Sequence, residues 1–234
     1  MSSLDVVKHN VLIDAVSLEE FSAFQQQFIA EVISQISMND EEIKNTEIDI
    51  CELYEEIRGT KLQGGTRAKA FESIQELTGK TVTIRVDKGY ITFPWFTLYE
   101  YTEGSKTARV WFNKNLLEYV LNLENNFTKI KRDKYMEIDN PYSIRLMELM
   151  SKVYGRVIER KFEIEELREL LHIGNKYKSI SDFRRYVVEP AIEEVNRVAD
   201  FTLTYEQQKT GRKITHIKFI KHKKGKVEVK GKGK

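Results

Sequence analysis

The chain has 234 residues, 41% of them apolar, and a formal charge of only +2, so it can bury a real core, and its length suits two small domains better than one large one. A single cysteine, Cys51, excludes an intramolecular disulfide and points to a reducing compartment. No apolar run approaches membrane-spanning length and no basic segment precedes an apolar signal core, so the expectation is a soluble, cytoplasmic protein without membrane contact.

The charge is unevenly spread. Residues 1–50 carry two basic against ten acidic groups, a balance of −8, whereas residues 172–234 carry sixteen against seven, a balance of +9. That polarity directs a polyanionic partner to the C-terminal part of the chain.

In chain order, residues 16–34 show an amphipathic pattern with Leu18, Phe21, Phe24, Phe28 and Val32 on one side, opened by Ser17 with Glu20 three positions later as a capping box. A second helix is expected over 48–57, with Ile50, Leu53, Tyr54 and Ile57 inside and Cys51 as an inert thiol among them. The loop 58–65 leads to a third helix over 66–77, where Ala70, Phe71, Ile74 and Leu77 face inward and Arg67 and Lys69 stand outside near its start. Residues 81–86 and 90–93 alternate as a hairpin around Asp87-Lys88-Gly89. A further hairpin follows over 95–101 and 107–112, turned at Glu103-Gly104-Ser105. Its aromatic density suits core packing or a protein-protein face better than base stacking. Residues 113–123 then read as a Leu-rich helix, and Asp139-Asn140-Pro141 marks a break.

The second half repeats the plan. A helix over 142–153 precedes the Glu-rich pattern of Ile164, Leu167, Leu170 and Leu171. Gly174 permits a sharp turn, and a longer helix follows over 180–196 with Phe183, Val187, Ala191, Ile192 and Val195 inside. Lys176, Lys178, Arg184 and Arg185 gather at its start. Ser181 with Asp182 is its expected cap, and Pro190 should bend it or join two segments. Phe201–Tyr205 and Ile214–Ile220 then alternate as strands joined by 207–213, with Gly211 at the turn and Lys209, Arg212 and Lys213 around it. The rest, from Lys221, is lysine- and glycine-rich and reads as a mobile basic tail that attracts phosphates without regard to sequence.

Helix, helix, basic-fronted helix and basic hairpin are the order of a winged helix. The fold class is therefore α+β: two tandem winged-helix domains, the first with an added β-hairpin. The expected boundaries are 1–130, 131–220 and a tail at 221–234. Arginine can bind guanine bidentately in a major groove, whereas lysine on a hairpin tip suits phosphate. An enzyme reading lacks support. His9, His172, His216 and His222 never stand one residue apart, as the metal pair of a nicking initiator requires, and the Gly59–Gly65 loop lacks the Gly-Lys-Ser/Thr of a P-loop. No catalytic residue, metal or cofactor is expected. A winged-helix transcriptional regulator or a phage-encoded origin-binding protein remains an open alternative, because repression and initiation use one DNA face.

Four stretches carry a resemblance to a known family: Phe127-Thr-Lys-Ile130, Pro141-Tyr-Ser-Ile-Arg-Leu-Met-Glu-Leu-Met150, Phe183-Arg-Arg-Tyr-Val-Val-Glu-Pro-Ala-Ile-Glu-Glu-Val-Asn196, and Lys209-Thr-Gly-Arg-Lys213 before a strand with Phe219. In this order and spacing the chain resembles the iteron-binding plasmid replication initiators, from about Leu12 to Phe219. The resemblance implies binding to direct repeats at a plasmid origin as a monomer, and repression of the protein's own gene by a dimer on an inverted repeat. A homodimer in equilibrium with monomer is thus implied. Host DnaA, the replicative helicase and Hsp70-type chaperones are the other implied partners. Carried onto this chain, Lys176, Tyr177, Lys178, Ser179, Ser181, Arg184 and Arg185 would grip or read one major-groove segment, and Lys209, Arg212 and Lys213 the neighbouring backbone. Lys61, Gln63, Thr66, Arg67 and Lys69 occupy the matching positions of the first domain.

Overall fold

The computed structural model describes residues 4–36, 45–121, 123–153 and 157–224. Strand β1 (Asp5–His9) and a short helix α1 (Asn10–Ile13) lead to helix α2 (Ala23–Ser34). Every residue of α2 is buried, which makes it the axis of the first domain. Its three glutamines are tolerated there because the Nε2 of each donates to a backbone carbonyl outside the helix. Gln27 Nε2 donates to the carbonyls of Tyr135 and Ile138 at 3.0 and 2.8 Å, and Gln26 Nε2 to that of Pro141 at 3.2 Å.

The helix starts later than the amphipathic pattern suggests. Its capping box is Ser22 with Gln25, at 3.1 and 3.0 Å, not Ser17 with Glu20. Ser17 instead folds back on Glu19, whose carboxylate accepts from the Thr81 hydroxyl at 3.1 Å. Val16 pairs with Thr83 as an isolated antiparallel bridge. Residues 16–20 are thus drawn out against a strand, and Leu18, expected inside, is 91% exposed. Phe21, Phe24, Phe28 and Val32 are buried as the pattern requires.

Strand β2 (Thr46–Asp49) enters helix α3 (Ile50–Arg58), where the Asp49 side chain caps the N–H of Glu52 at 2.8 Å and Gly59 ends the helix at φ 65°. That positive φ is the left-handed conformation a helix end takes most cheaply with glycine. Helix α4 (Gly64–Gln75) runs into a 3-10 turn at Glu76–Thr78, followed by the hairpin of β3 (Thr81–Val86) and β4 (Gly89–Pro94). The added hairpin is β5 (Phe96–Tyr101) and β6 (Thr107–Phe112). Its effect on topology is not visible in the alternation alone. β2 pairs with β6, giving a sheet ordered β2-β6-β5, while β3 and β4 pair only with each other. Residues 113–123, expected as an α-helix, form a 3-10 segment over Lys114–Tyr119. Asn113 anchors it, accepting from the N–H of Asn115 at 3.0 Å and donating to the carbonyl of Pro94 at 2.9 Å. Strand β7 (Phe127–Lys131) returns to pair antiparallel with β1, Lys131 opposite Asp5.

A short helix α5 (Arg132–Met136) connects to α6 (Pro141–Ser151), followed by β8 (Val157–Glu163) and α7 (Ile164–Leu170). Residues 180–198 form one continuous helix in three pieces: α8 (Ile180–Phe183), a π-turn (Arg184–Val188) and α9 (Glu189–Val198). Pro190 explains the middle piece. It has no N–H to offer the preceding turn, and the neighbouring N–H of Glu189 reaches five residues back to the carbonyl of Arg184. The helix widens there by one residue, so that Pro190 stands at a junction between segments, and both Val187 and Val188 are buried. Strands β9 (Phe201–Thr210) and β10 (Lys213–Lys223) complete a sheet ordered β8-β10-β9. Phe162, Leu167, Phe183, Val187, Ala191, Val195, Ile217 and Phe219 pack between this sheet and the helices.

Both hairpin strands are longer than the apolar alternation implied, because the polar run 206–209 still pairs, Gln208 opposite His216, leaving only Gly211 and Arg212 at the tip. The tail correspondingly starts later than 221. Lys221 lies in β10 over the Phe201 ring, 4.5 Å away, with its Nζ on the carbonyls of Met150 and Val153 at 2.8 and 2.6 Å. The remainder of the expected tail, 225–234, lies outside the described residues. Among the described residues no helix is long and apolar enough to cross a membrane.

Helix α6 is held to the N-terminal strand and to α7 through buried charge. Glu148 of α6 accepts from Lys8 of β1 at 2.6 Å and from the Tyr135 hydroxyl at 3.0 Å, and it pairs with Arg145. Arg145 also donates to the carbonyls of Ile13 and Ala15, at 2.8 and 3.0 Å, and to that of Leu170 in α7 at 3.1 Å. Burial pushes the Glu148 carboxyl upward, but Lys8 and Arg145 outweigh it and hold the group at about 2. On the other side of the connection, Arg132 pairs with Glu31 of α2 and, at 2.6 Å, with Glu56 of α3. A buried pair is weak evidence of net stability, but removing one partner strands the other, so the network holds α6 in place against β1 and α7.

Candidate nucleic-acid interface

The turn ahead of residues 180–198 is built by one side chain. Arg168 of α7 donates to the carbonyls of Tyr177 at 2.9 Å, Lys176 at 2.5 Å and Gly174 at 3.4 Å, and its guanidinium lies 5.5 Å from the Phe183 ring. The turn needs such a clamp because Gly174 and Tyr177 both hold positive φ, 62° and 51°, which for tyrosine is strained backbone. A fixed turn means fixed side chains. Lys178 is exposed, and among the described residues no carboxylate pairs with it. Lys176 is also exposed, but its ammonium is paired with Glu20 of the first domain, which raises its pKa.

The helix cap is Ser179, not Ser181. Its hydroxyl oxygen accepts the N–H of Asp182 at 3.0 Å and it donates to that carboxylate at 2.8 Å, so this hydroxyl is engaged by the helix itself. Ser181 stands exposed in the first turn. The two arginines that follow differ. Arg184 Nε is 3.1 Å from Glu189, which also accepts from the Tyr205 hydroxyl at 2.8 Å. Arg185 is exposed, without a carboxylate partner among the described residues, and its guanidinium lies 5.4 Å from the ring of Tyr186. At the hairpin tip, Lys209, Arg212 and Lys213 are all exposed around Gly211, whose φ of 61° makes the two-residue turn.

In the first domain, Lys61, Gln63, Thr66 and Lys69 are exposed around the start of α4, where Gln63 is the cap residue but makes no side-chain capping bond. Arg67 does not join them. It is half-buried over Phe71 and donates to the carbonyls of Gly104, at 3.1 Å, and Ser105, tying the added hairpin's turn to α4. Three residues shape this surface without having been expected at it: Arg168, Tyr186 and Glu20, the last read from sequence only as a capping residue. Arg168 sits on an exposed-looking helical position, and Glu20 acts across 156 residues of sequence separation. No group of three or more His, Cys, Asp or Glu side chains among the described residues could hold a metal ion.

Comparison with known families decides what this architecture is. The domain described as "Initiator Replication protein, WH1" matches residues 5–151, and the one described as "Initiator Rep protein, WH2" matches residues 163–220. The chain belongs to the initiator replication protein family. Its first winged helix is WH1 and its second WH2. Among solved structures, the Pi initiator protein in complex with iteron DNA superposes with a TM-score of 0.74, over 97% of this chain and 100% of that one, at 17% identity. That likeness confirms the tandem winged-helix fold. An uncharacterized 27.6 kDa protein of Escherichia coli is 25% identical over 155 residues. The match spans 62% of this chain and 62% of the relative's length.

Proposed function

We propose that this protein is a plasmid replication initiator that binds directly repeated double-stranded DNA at its origin through WH1 and WH2 together, and represses its own gene as a homodimer on an inverted repeat. The observation that carries the reading is the set of exposed cations Lys178, Arg185, Lys209, Arg212 and Lys213, none with a carboxylate partner among the described residues. They stand where a winged helix presents its reading helix and wing. Cations at the hairpin tip supply sequence-blind attraction to phosphate, and Arg185 supplies base recognition. The membership of the family, and the likeness in fold to a protein solved on iteron DNA, support the same assignment. The reading also takes host initiator, replicative helicase and Hsp70-type chaperones as partners, and it assigns no catalytic step.

Incubating the full chain with a random-sequence duplex pool and sequencing what it retains tests the proposal. The expected product is one recurring motif, bound in tandem when two copies are placed a whole number of helical turns apart, each turn about 10.5 base pairs. Recovery of unrelated sequences with equal affinity would overturn it.

A further inference from the structure

We infer that Tyr186 is a positioning residue for DNA recognition, its ring holding the Arg185 guanidinium in a reading pose. The inference rests on the reading of residues 180–198 as a DNA-facing helix. Tyr186 is a large aromatic side chain left 48% exposed, and no hydrogen bond is made by its hydroxyl among the described residues. Burial therefore does not account for it. Its ring is nevertheless held. It stacks on Tyr177, centroids 5.8 Å apart at 28°, and Tyr177 in turn meets Tyr142 edge-on at 6.3 Å. Tyr177 is fixed by the Arg168 clamp on its carbonyl. The result is a ladder from α6 through the turn to the helix surface, ending at the Arg185 guanidinium 5.4 Å from the Tyr186 ring.

The ladder matters because of what Arg185 lacks. Arg184 beside it is oriented by Glu189, while Arg185 has no carboxylate partner to orient it. An unpaired arginine loses side-chain freedom when it docks on a base edge, and a ring that already holds the guanidinium removes part of that cost. A cation–π contact suits this role better than a carboxylate, since it leaves all five N–H donors free for guanine. The π-turn contributes as well, since the adjacent residues Arg185 and Tyr186 both lie inside it on the exposed face.

The test is a double-mutant cycle on the full chain. Affinity would be measured for the duplex recovered from the random pool and for its scrambled version, and the ratio of the two read as specificity. Arg185→Ala should lower the ratio about tenfold or more. Tyr186→Ala should lower it roughly three- to fivefold, Tyr186→Phe should leave it within about twofold of wild type, and Arg185→Ala/Tyr186→Ala should be no worse than Arg185→Ala alone. Thermal melting of each variant, unchanged because both side chains are exposed, separates positioning from folding. A Tyr186→Phe loss as large as that of Tyr186→Ala would overturn the inference in favour of a direct contact by the hydroxyl, and additive losses in the double variant would overturn it too. No effect of Arg185→Ala itself would instead reject the DNA-facing assignment of the helix, a distinct failure.

Discussion

Lys176, in the turn before residues 180–198 of WH2, is ion-paired with Glu20 of WH1. The same glutamate closes on Gly174, where an added Cβ would come within 3.1 Å of its carboxylate oxygen. One domain thus places a carboxylate against a cation that the other would offer to phosphate. Glu20→Gln should therefore strengthen DNA binding, about three- to tenfold at low salt, and steepen the salt dependence by about 0.9 in log-log slope as one more phosphate contact becomes available. Fluorescence anisotropy against a labelled duplex at several salt concentrations measures both. An unchanged slope would mean that Lys176 stays off the DNA whether or not Glu20 holds it.

The Arg168 clamp predicts a result that charge alone would not give. Its guanidinium reaches the carbonyls of Gly174, Lys176 and Tyr177 at once, which a lysine ammonium cannot reproduce in fork geometry. Arg168→Lys should behave nearly like Arg168→Ala, with at least about tenfold weaker binding to the preferred duplex. The loss of stability should be about 1–2 kcal/mol, the scale of the hydrogen bonds that the turn loses. Rescue of binding by lysine would show that only charge is needed there.

His172 lies at the seam between the domains, against Phe21 at 5.7 Å and with Nε2 3.3 Å from the Ala15 carbonyl. Burial, reinforced by the positive charge of Arg145, lowers its pKa from 6.5 to about 3. The unfolded chain takes up this proton below pH 6.5 while the folded one does not until about 3, so stability is full above pH 6.5 and falls as pH drops through that window. By pH 5 the loss is about 2 kcal/mol. Glu148, held at about 2 against its usual 4.5, contributes stability that is lost only below pH 4.5, so comparing pH 7 with pH 5 isolates the histidine. His172→Asn also suits the positive φ of 54° at this position. Urea midpoints should drop between pH 7 and 5 in the wild type and stay level in this variant. Equal drops in both would exonerate His172.

Much of this architecture could be read from local pattern, because the apolar periodicity of α2, α4, α7 and residues 180–198 reflects which face each helix buries, and the basic residues cluster at helix starts and the hairpin tip. Pairing choices could not be read in the same way. That β2 joins β6 instead of the β3–β4 hairpin is decided by which strand edges meet in three dimensions. The start of α2 was misplaced because Ser17 and Glu20 have capping spacing, yet Val16 is drawn into a bridge with Thr83 and Glu20 into the pair with Lys176. Arg67 has the chemistry of a phosphate contact, but a turn 37 residues away claims it. In each case a local signal was overridden by a partner distant in sequence.

The same logic separates the charges that should read DNA from those that should only hold it. Lys213 is exposed at the wing tip without a carboxylate partner among the described residues, and Arg184, the first residue of the π-turn, is committed to Glu189. Lys213→Ala should weaken binding to matched and scrambled duplexes alike and reduce the salt slope by about 1, the signature of a single lost phosphate contact. Arg184→Ala should cost less specificity than Arg185→Ala, because the Arg184 guanidinium must leave Glu189 before it can meet a base, and that exchange returns little net free energy. Gel shifts on both duplexes across a salt series rank the three variants. If Lys213→Ala discriminated between matched and scrambled DNA, the wing would be reading sequence and not gripping the backbone.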